Sequence, residues 1–206
     1  MIESKKIKYI TYQSFPATTA NSLQTISMIK YFVRSKYELE LIFPNREKMS
    51  SEKLEVIQNY YQFKDNFLIT RTDHNYPFGK MKIFTPILFH LSHYLWAKSV
   101  IKNLDLENVN ASYITRSDWV FYFLSKQKVN VVFECHQVSK IRKLILNALR
   151  HSDTSKVVFT TNLLKNEFKP IKNSYVIGNA FDDDFFPNND TFIKNPKKVI
   201  FVGNLL

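Results

Sequence analysis

Short apolar runs that alternate with helical patterns constrain the fold of this chain more than any other feature. Eight runs are rich in the β-branched and aromatic residues typical of strands. They are IKYITY (7–12), ELELIF (38–43), FLIT (67–70), ASYIT (111–115), NVVFE (130–134), KVVFT (156–160), SYVI (174–177) and KVIFV (198–202). Strands that read as continuous apolar runs and alternate with helices favour a parallel sheet covered on both faces. The sequence therefore predicts an α/β fold with a doubly wound parallel sheet.

Two of the helical patterns carry an apolar face behind a candidate N-cap residue. The candidate caps are Thr19 and Ser139. The apolar faces consist of Leu23, Ile26, Ile29 and Val33 in the first helix and of Ile141, Leu144, Ile145 and Leu149 in the second. We expect both faces to pack against the sheet.

Composition narrows the class of protein. Of the 206 residues, 45% are hydrophobic and 15% aromatic, which is enough to bury a sizeable core. One cysteine cannot form an internal disulfide, and no secretory signal pattern opens the sequence, so we expect a cytoplasmic location. No metal site is expected, because five scattered histidines and one cysteine do not give the ligand spacing of a zinc site.

The net charge of +11 predicts a polyanionic neighbour. Nucleic acid, an anionic membrane surface and a phosphorylated substrate all satisfy that condition. The lysines are dispersed in pairs, as at Lys5–Lys6 and Lys197–Lys198, rather than clustered among aromatic residues, so nucleic acid is not predicted as a partner. A solvated basic surface without a specific partner is the remaining alternative.

Polar and reactive groups end the strand of residues 130–134, where Glu134, Cys135 and His136 follow one another. Ligands of open α/β sheets bind outside the carboxyl ends of the strands. His136 therefore either faces a ligand or caps the next helix, and the position alone does not decide between these. Cys135 is expected to pack as a small buried group, since the sequence shows no base that would activate it.

The segment QSFPATTANSLQ (13–24) brings Ser14, Asn21 and Ser22 to the start of a helix. Free backbone N–H groups and the helix dipole favour an anion at such a place. A G-x-G-x-x-G motif and a Walker-type phosphate loop are both absent from the sequence. An NAD enzyme and a P-loop NTPase are therefore disfavoured.

The stretch TRSD (115–118) places Arg116 at the end of the fourth predicted strand, with Ser117 or Asp118 to cap the helix that follows. Arg116 either binds a phosphate or carboxylate of a ligand with two hydrogen bonds or forms a structural salt bridge to a neighbouring carboxylate. The sequence leaves both roles open.

Six motifs in a fixed order span nearly the whole chain. They are A-N-S-x-Q (20–24), Y-x-T-R-S (113–117), F-E-x-H (133–136), V-x-x-T-x-x-L-K (158–165), GNAFDDDFFP (178–187) and a strand ending in V-G-N-L (201–205). Each motif is weak alone, but the set resembles the family 4 glycosyltransferases. The Gly-Gly turn that many members carry after the first strand is missing here.

The resemblance implies a GT-B architecture, in which two Rossmann-like domains face each other across a cleft. Residues 1–177 would form the acceptor-side domain, 178–197 the interdomain linker and 198–206 the first strand of a truncated donor-binding domain. A retaining glycosyltransferase of this kind moves a sugar from a nucleotide-sugar to a lipid-linked or cell-envelope glycan acceptor. It needs no metal or other cofactor. The alternative is a non-catalytic binding module, or a subunit that another chain completes.

The resemblance also assigns site residues. His136 would face the donor sugar as a catalytic residue, and Glu134 would orient it or hold its loop. The substrate-binding residues would be Ser14, Asn21, Ser22 and Arg116, and the donor-binding residues Gly203 and Asn204. Because the region that holds the donor diphosphate in the family is lacking, the 206-residue chain alone is expected not to transfer sugar.

The stretch from Ile83 to Ala97 is mostly apolar and aromatic, with Lys82 and Lys98 at its ends. Its 15 residues fall short of the roughly 20 that a bilayer span needs. It is therefore either a core helix or an interfacial helix at an anionic membrane, with Tyr94 and Trp96 at the boundary. In the second case the protein would be peripheral at the inner face of the membrane.

Overall fold

The fold is seen in a computed structural model, which describes residues 5–78, 85–106, 111–168 and 171–179. The strands are β1 (Lys6–Ile10), β2 (Glu38–Pro44), β3 (Leu68–Thr72), β4 (Ala111–Thr115), β5 (Val131–Cys135), β6 (Ser155–Phe159) and β7 (Ser174–Val176). The helices are α1 (Ala20–Arg34), α2 (Leu54–Tyr61), α3 (Thr85–Asn103), α4 (Asp118–Ser125), α5 (Arg142–Arg150) and α6 (Asn162–Glu167).

All strand pairs of the sheet are parallel, in the order β3-β2-β1-β4-β5-β6-β7. The predicted doubly wound, Rossmann-like α/β fold is therefore confirmed. The chain order reverses between β1 and β4, which makes this pair the topological switch point of the sheet. The predicted strand at 198–202, the linker beyond residue 179, and Gly203 and Asn204 lie outside the described residues.

Helices cover the two faces of the sheet in separate sets. Ile26 and Ile29 of α1 and Ile57 of α2 pack on one face, in a core that includes Tyr9 and Leu41. The other face is covered by α3, α4 and α5, whose buried residues join the larger core. Strand side chains alternate between these two cores because successive residues of a strand point to opposite faces.

Two of the predicted caps are confirmed and one is wrong. Thr19 caps α1 by accepting from the backbone N–H of Ser22 (3.3 Å), and Ser117 caps α4 by accepting from that of Val120 (3.1 Å). Ser139 does not cap α5, which begins only at Arg142. Its hydroxyl instead donates to Asp118 Oδ2 (2.8 Å), and two further residues precede the helix.

The predicted apolar faces are partly wrong. Leu23 and Leu144 are 40% and 39% exposed, whereas Ile26, Ile29, Ile145 and Leu149 are buried as predicted. In α1 the small residues Ser22 and Thr25 are buried instead. The Ser22 hydroxyl donates to the backbone oxygen of Ala17, and the Thr25 hydroxyl donates to Gln13 Oε1, both in the preceding loop. An apolar pattern gives no sign of these contacts.

Of the two alternatives predicted for helix α3, the core helix is observed in its second half. Its second half belongs to the core, with Trp96 fully buried and its Nε1 donating to Thr72 Oγ1 (2.8 Å). The prediction of Trp96 at a membrane boundary is therefore wrong. Its first half is open, since Ile87 is 66% and Leu91 46% exposed. Within the described ranges, no helix has the length and hydropathy that crossing a bilayer requires.

Adjacent positions of α2 provide a test of the packing. Ile57 is fully buried and Val56 is 41% exposed. Ile57→Ala should lower the free energy of unfolding by about 3 kcal/mol, because it removes transfer energy and leaves a cavity. Val56→Ala should change it by less than about 1 kcal/mol. Urea unfolding followed by circular dichroism measures both, and equal losses would mean that α2 does not pack as described.

Candidate functional site at the carboxyl edge of the sheet

The candidate site lies where β1, β4 and β5 end, beside the topological switch point. The loops that follow β1 and β4 lead to helices on opposite faces, so a crevice opens between them. Strand alternation continues into these loops. Residues two apart in a strand lie on the same face of the sheet. By this rule Arg116 and His136 fall on the α1 side, as Ile114 and Glu134 do. Ser117 falls on the other side, with Thr115 and Cys135.

Arg116 connects three elements of the fold. Its Nε donates to Glu134 Oε2 (3.2 Å) at the end of β5, and its Nη1 donates to the backbone oxygen of Asn21 (3.0 Å) in α1. Gln24 Oε1 lies 3.4 Å from the same Nη1. The side chains of Arg116 and Glu134 are only 13% and 14% exposed. Of the two predicted roles for Arg116, the structural salt bridge is the one that is observed.

Glu134 is held from a second side by Tyr9, whose hydroxyl donates to the same Oε2 (2.6 Å). Tyr9 is fully buried, and burial together with the Glu134 charge raises the pKa of its phenol well above the ordinary value. The phenol therefore stays protonated and remains a donor. With Oε2 bonded to both Tyr9 and Arg116, Glu134 fixes the carboxyl edge.

His136 is half-buried directly after the end of β5, and no hydrogen bond joins it to another described residue. It does not cap α5, whose N-cap is Ile141. Burial, and after it the positive charge of Arg116, lowers the pKa of its imidazole to about 4. His136 is therefore neutral at pH 7, with one ring nitrogen able to donate and the other able to accept.

The three predicted substrate-binding residues of the first loop have different environments. Ser14 is 1% exposed and donates to the backbone oxygen of Pro44 (3.2 Å). Ser22 is fully buried, with its Oγ 2.7 Å from the backbone oxygens of Ala17 and Thr19. Both serines therefore shape the loop. Asn21 is exposed at the start of α1, beside Arg116.

Cys135 is a buried group, as predicted. Its side chain is 1% exposed, and its Sγ lies 3.3 Å from the backbone oxygen of Gln137. Burial raises the pKa of the thiol to about 12, so the reactive thiolate is not formed at neutral pH.

A second polar cluster, which the sequence reasoning missed, lies on the α3 side of the same edge. Ser117 Oγ is hydrogen-bonded to His93 Nε2 (2.5 Å), and the His93 ring stacks on Tyr12 with centroids 4.3 Å apart. The Tyr12 hydroxyl in turn lies 2.7 Å from His74 Nε2. The one sequence signal for this cluster is His93 itself, a titratable residue within an apolar stretch.

His93 is neutral although Asp118 is close. Asp118 Oδ1 lies 3.8 Å from His93 Nδ1, which is too long for a hydrogen bond, and that oxygen already accepts from the backbone N–H of Trp119 (2.9 Å). Burial, and after it the proximity of His90 and Arg46, lowers the pKa of His93 to about 3. Because His93, Ser117 and Tyr12 are all less than 9% exposed, the cluster is part of the core.

No group of three or more histidine, cysteine or acidic side chains among the described residues is arranged to hold a metal ion. No protein-family model matches this chain, and no curated protein does. The glycosyltransferase prediction therefore rests on the order of the motifs and on the chemistry of this edge.

The neutral, buried His93 should make stability fall in acid. Its pKa in the folded protein is below the ordinary 6.5. Between pH 6.5 and about 3, the unfolded chain therefore binds a proton on this histidine that the folded protein does not bind. This loss should reach roughly 2 kcal/mol between pH 6.5 and 5. It should be absent from His93→Gln, in which the side chain does not titrate.

Urea unfolding of both proteins between pH 5 and 7.5 measures the difference. His151→Gln is the matched control, because His151 is exposed at the end of α5. Identical pH slopes for the parent and His93→Gln would show that His93 is not neutral by burial.

Proposed function

We propose that this chain forms the acceptor-side half of a retaining glycosyltransferase of the GT-B type, which uses a nucleotide-sugar donor and a lipid-linked or cell-envelope glycan acceptor. The observation that carries the proposal is His136. It is a neutral, half-buried imidazole without a hydrogen bond to the described residues, at the switch-point edge of a doubly wound sheet. The F-E-x-H motif in the family order supports the same role.

His136 acts by hydrogen bonding. In its neutral form it donates one N–H to a sugar hydroxyl, or to the oxygen that gains charge as the bond to the leaving diphosphate breaks. An imidazolium would repel the positive charge that develops at the anomeric centre. Arg116 disfavours that protonated form, since its charge helps to lower the pKa of His136.

Glu134 and Arg116 position the site in this proposal. Glu134 Oε2 accepts hydrogen bonds from both Tyr9 and Arg116. The carboxylate therefore holds the end of β5, which His136 directly follows. This favours the loop-holding role for Glu134 over a nucleophilic one. Asn21 is the exposed polar side chain beside Arg116, and it is the residue of the first loop best placed to contact substrate.

Replacing His136 tests the proposal. In a protein that carries the donor-binding domain, His136→Ala should lower turnover by about 10² to 10³, as the loss of one transition-state hydrogen bond does. The midpoint of thermal unfolding should change little, because the side chain fills no core position. Transfer is measured with labelled nucleotide-sugars and lipid-linked acceptors.

His151→Ala serves as the matched control, since it removes a histidine from the opposite edge of the sheet. Full turnover by His136→Ala would overturn the catalytic role. Binding of glycan without transfer from any donor would support the alternative of a non-catalytic module.

We also propose that the open half of α3 contacts an anionic membrane surface that carries the acceptor. Ile87 and Leu91 are one helical turn apart and exposed, and the net charge of +11 attracts anionic headgroups. Apolar insertion and electrostatic attraction then act together. The basic charge alone would not select this face.

The double variant Ile87→Ser with Leu91→Ser should bind anionic vesicles at least about tenfold more weakly, because it removes the inserted apolar surface. Sedimentation with vesicles measures this at low and high salt, and rising salt should weaken binding by the parent. Leu163→Ser is the control, since Leu163 is 76% exposed on α6. Equal binding to neutral and anionic vesicles would contradict the proposal.

A further inference from the structure

The segment between β2 and α2 contains an arginine whose charge is poorly matched. Arg46 follows the end of β2, on the side of the edge where Tyr12 lies. Its guanidinium stacks over the rings of Tyr12 and Phe78, with Cζ 4.9 Å and 5.4 Å from the two centroids. The side chain is 15% exposed. A guanidinium held between aromatic rings at the carboxyl edge is well ordered for binding.

Arg46 has an unsatisfied donor. Its Nε is buried and makes no hydrogen bond. Among the described residues, one other buried side-chain polar atom has no partner, and it is Ser50 Oγ in the same segment. Buried polar groups without partners are rare in folded proteins. Two of them in one loop therefore indicate a ligand that supplies the missing partners.

The counter-ion of Arg46 is weakly held. Glu47 Oε1 accepts from Arg46 Nη2 (3.0 Å), but Glu47 is the next residue in the chain and is 47% exposed. The Arg34–Asp65 pair is different, because both Nε and Nη2 of Arg34 bond the two carboxylate oxygens. A carboxylate that bonds only Nη2 and leaves Nε unpaired is easily displaced by an anion that can bond both Nη2 and Nε.

We propose that Arg46 binds an anionic oxygen group of the acceptor, a phosphate or a carboxylate, and that Glu47 occupies this place when the acceptor is absent. The anion displaces the Glu47 carboxylate and bonds Arg46 through Nη2 and Nε, and the Ser50 hydroxyl is the second donor of the segment. The inference rests on the proposed function only for the identity of the ligand as an acceptor.

The two substitutions at this pair should act in opposite directions. Arg46→Met removes the guanidinium and should weaken binding of inorganic phosphate by about tenfold or more, as the loss of charge-assisted hydrogen bonds does. Glu47→Gln removes the competing carboxylate charge and should strengthen binding severalfold. Isothermal titration of the 206-residue chain with inorganic phosphate, glucuronate and glucose measures both effects without any transfer step.

Arg34→Met is the matched control, because it removes the same charge from the end of α1 at the opposite edge of the sheet. Saturable binding of phosphate or of glucuronate, but not of glucose, is expected, and the stronger of the two identifies the acceptor group. Equal weakening by Arg46→Met and Arg34→Met, or weaker binding by Glu47→Gln, would overturn the site. Because sugar transfer is not measured, failure here leaves the proposed transferase activity to its own test.

Discussion

The parallel pairing of β1 with β4 is the constraint on which the rest of the structure depends. Crossover connections between parallel strands have one hand, so a chain that leaves β1 toward β2 and later returns to β4 must place α1 and α2 on one face and α3 to α5 on the other. The loops after β1 and β4 then separate. The crevice between them follows from chain topology, whatever residues line it.

Strand alternation decides which chemistry each wall of that crevice receives. On the α1 side, Arg116, Glu134 and Tyr9 form a charged network that fixes three elements. On the α3 side, Tyr12, His93 and Ser117 form a neutral network that is closed to solvent.

The sequence was sufficient for the sheet but not for the contacts at its edge. The inner strands lie between two layers of helices and form continuous apolar runs, and β1 to β7 all begin and end within two residues of the predicted runs. The start of α5 could not, because the Ser139 hydroxyl donates to Asp118, 21 residues earlier in the chain, and the N-cap of the helix is Ile141. The role of Arg116 likewise depended on Glu134, a partner 18 residues away that no local pattern identifies. The identity of the substrates stays a prediction, since it rests on the motifs.

The Arg116 network also limits how this protein can change in evolution. One guanidinium bonds a side chain of β5 and a backbone oxygen of α1, so it fixes the distance between these two elements. A lineage that lost the carboxylate at position 134 would keep a buried cation without a counter-charge. One that lost the arginine would leave the Glu134 carboxylate buried without its cationic partner. Positions 9, 116 and 134 are therefore expected to vary only as a set, whereas Asn21 contributes its backbone oxygen to this network and can exchange its side chain without breaking it.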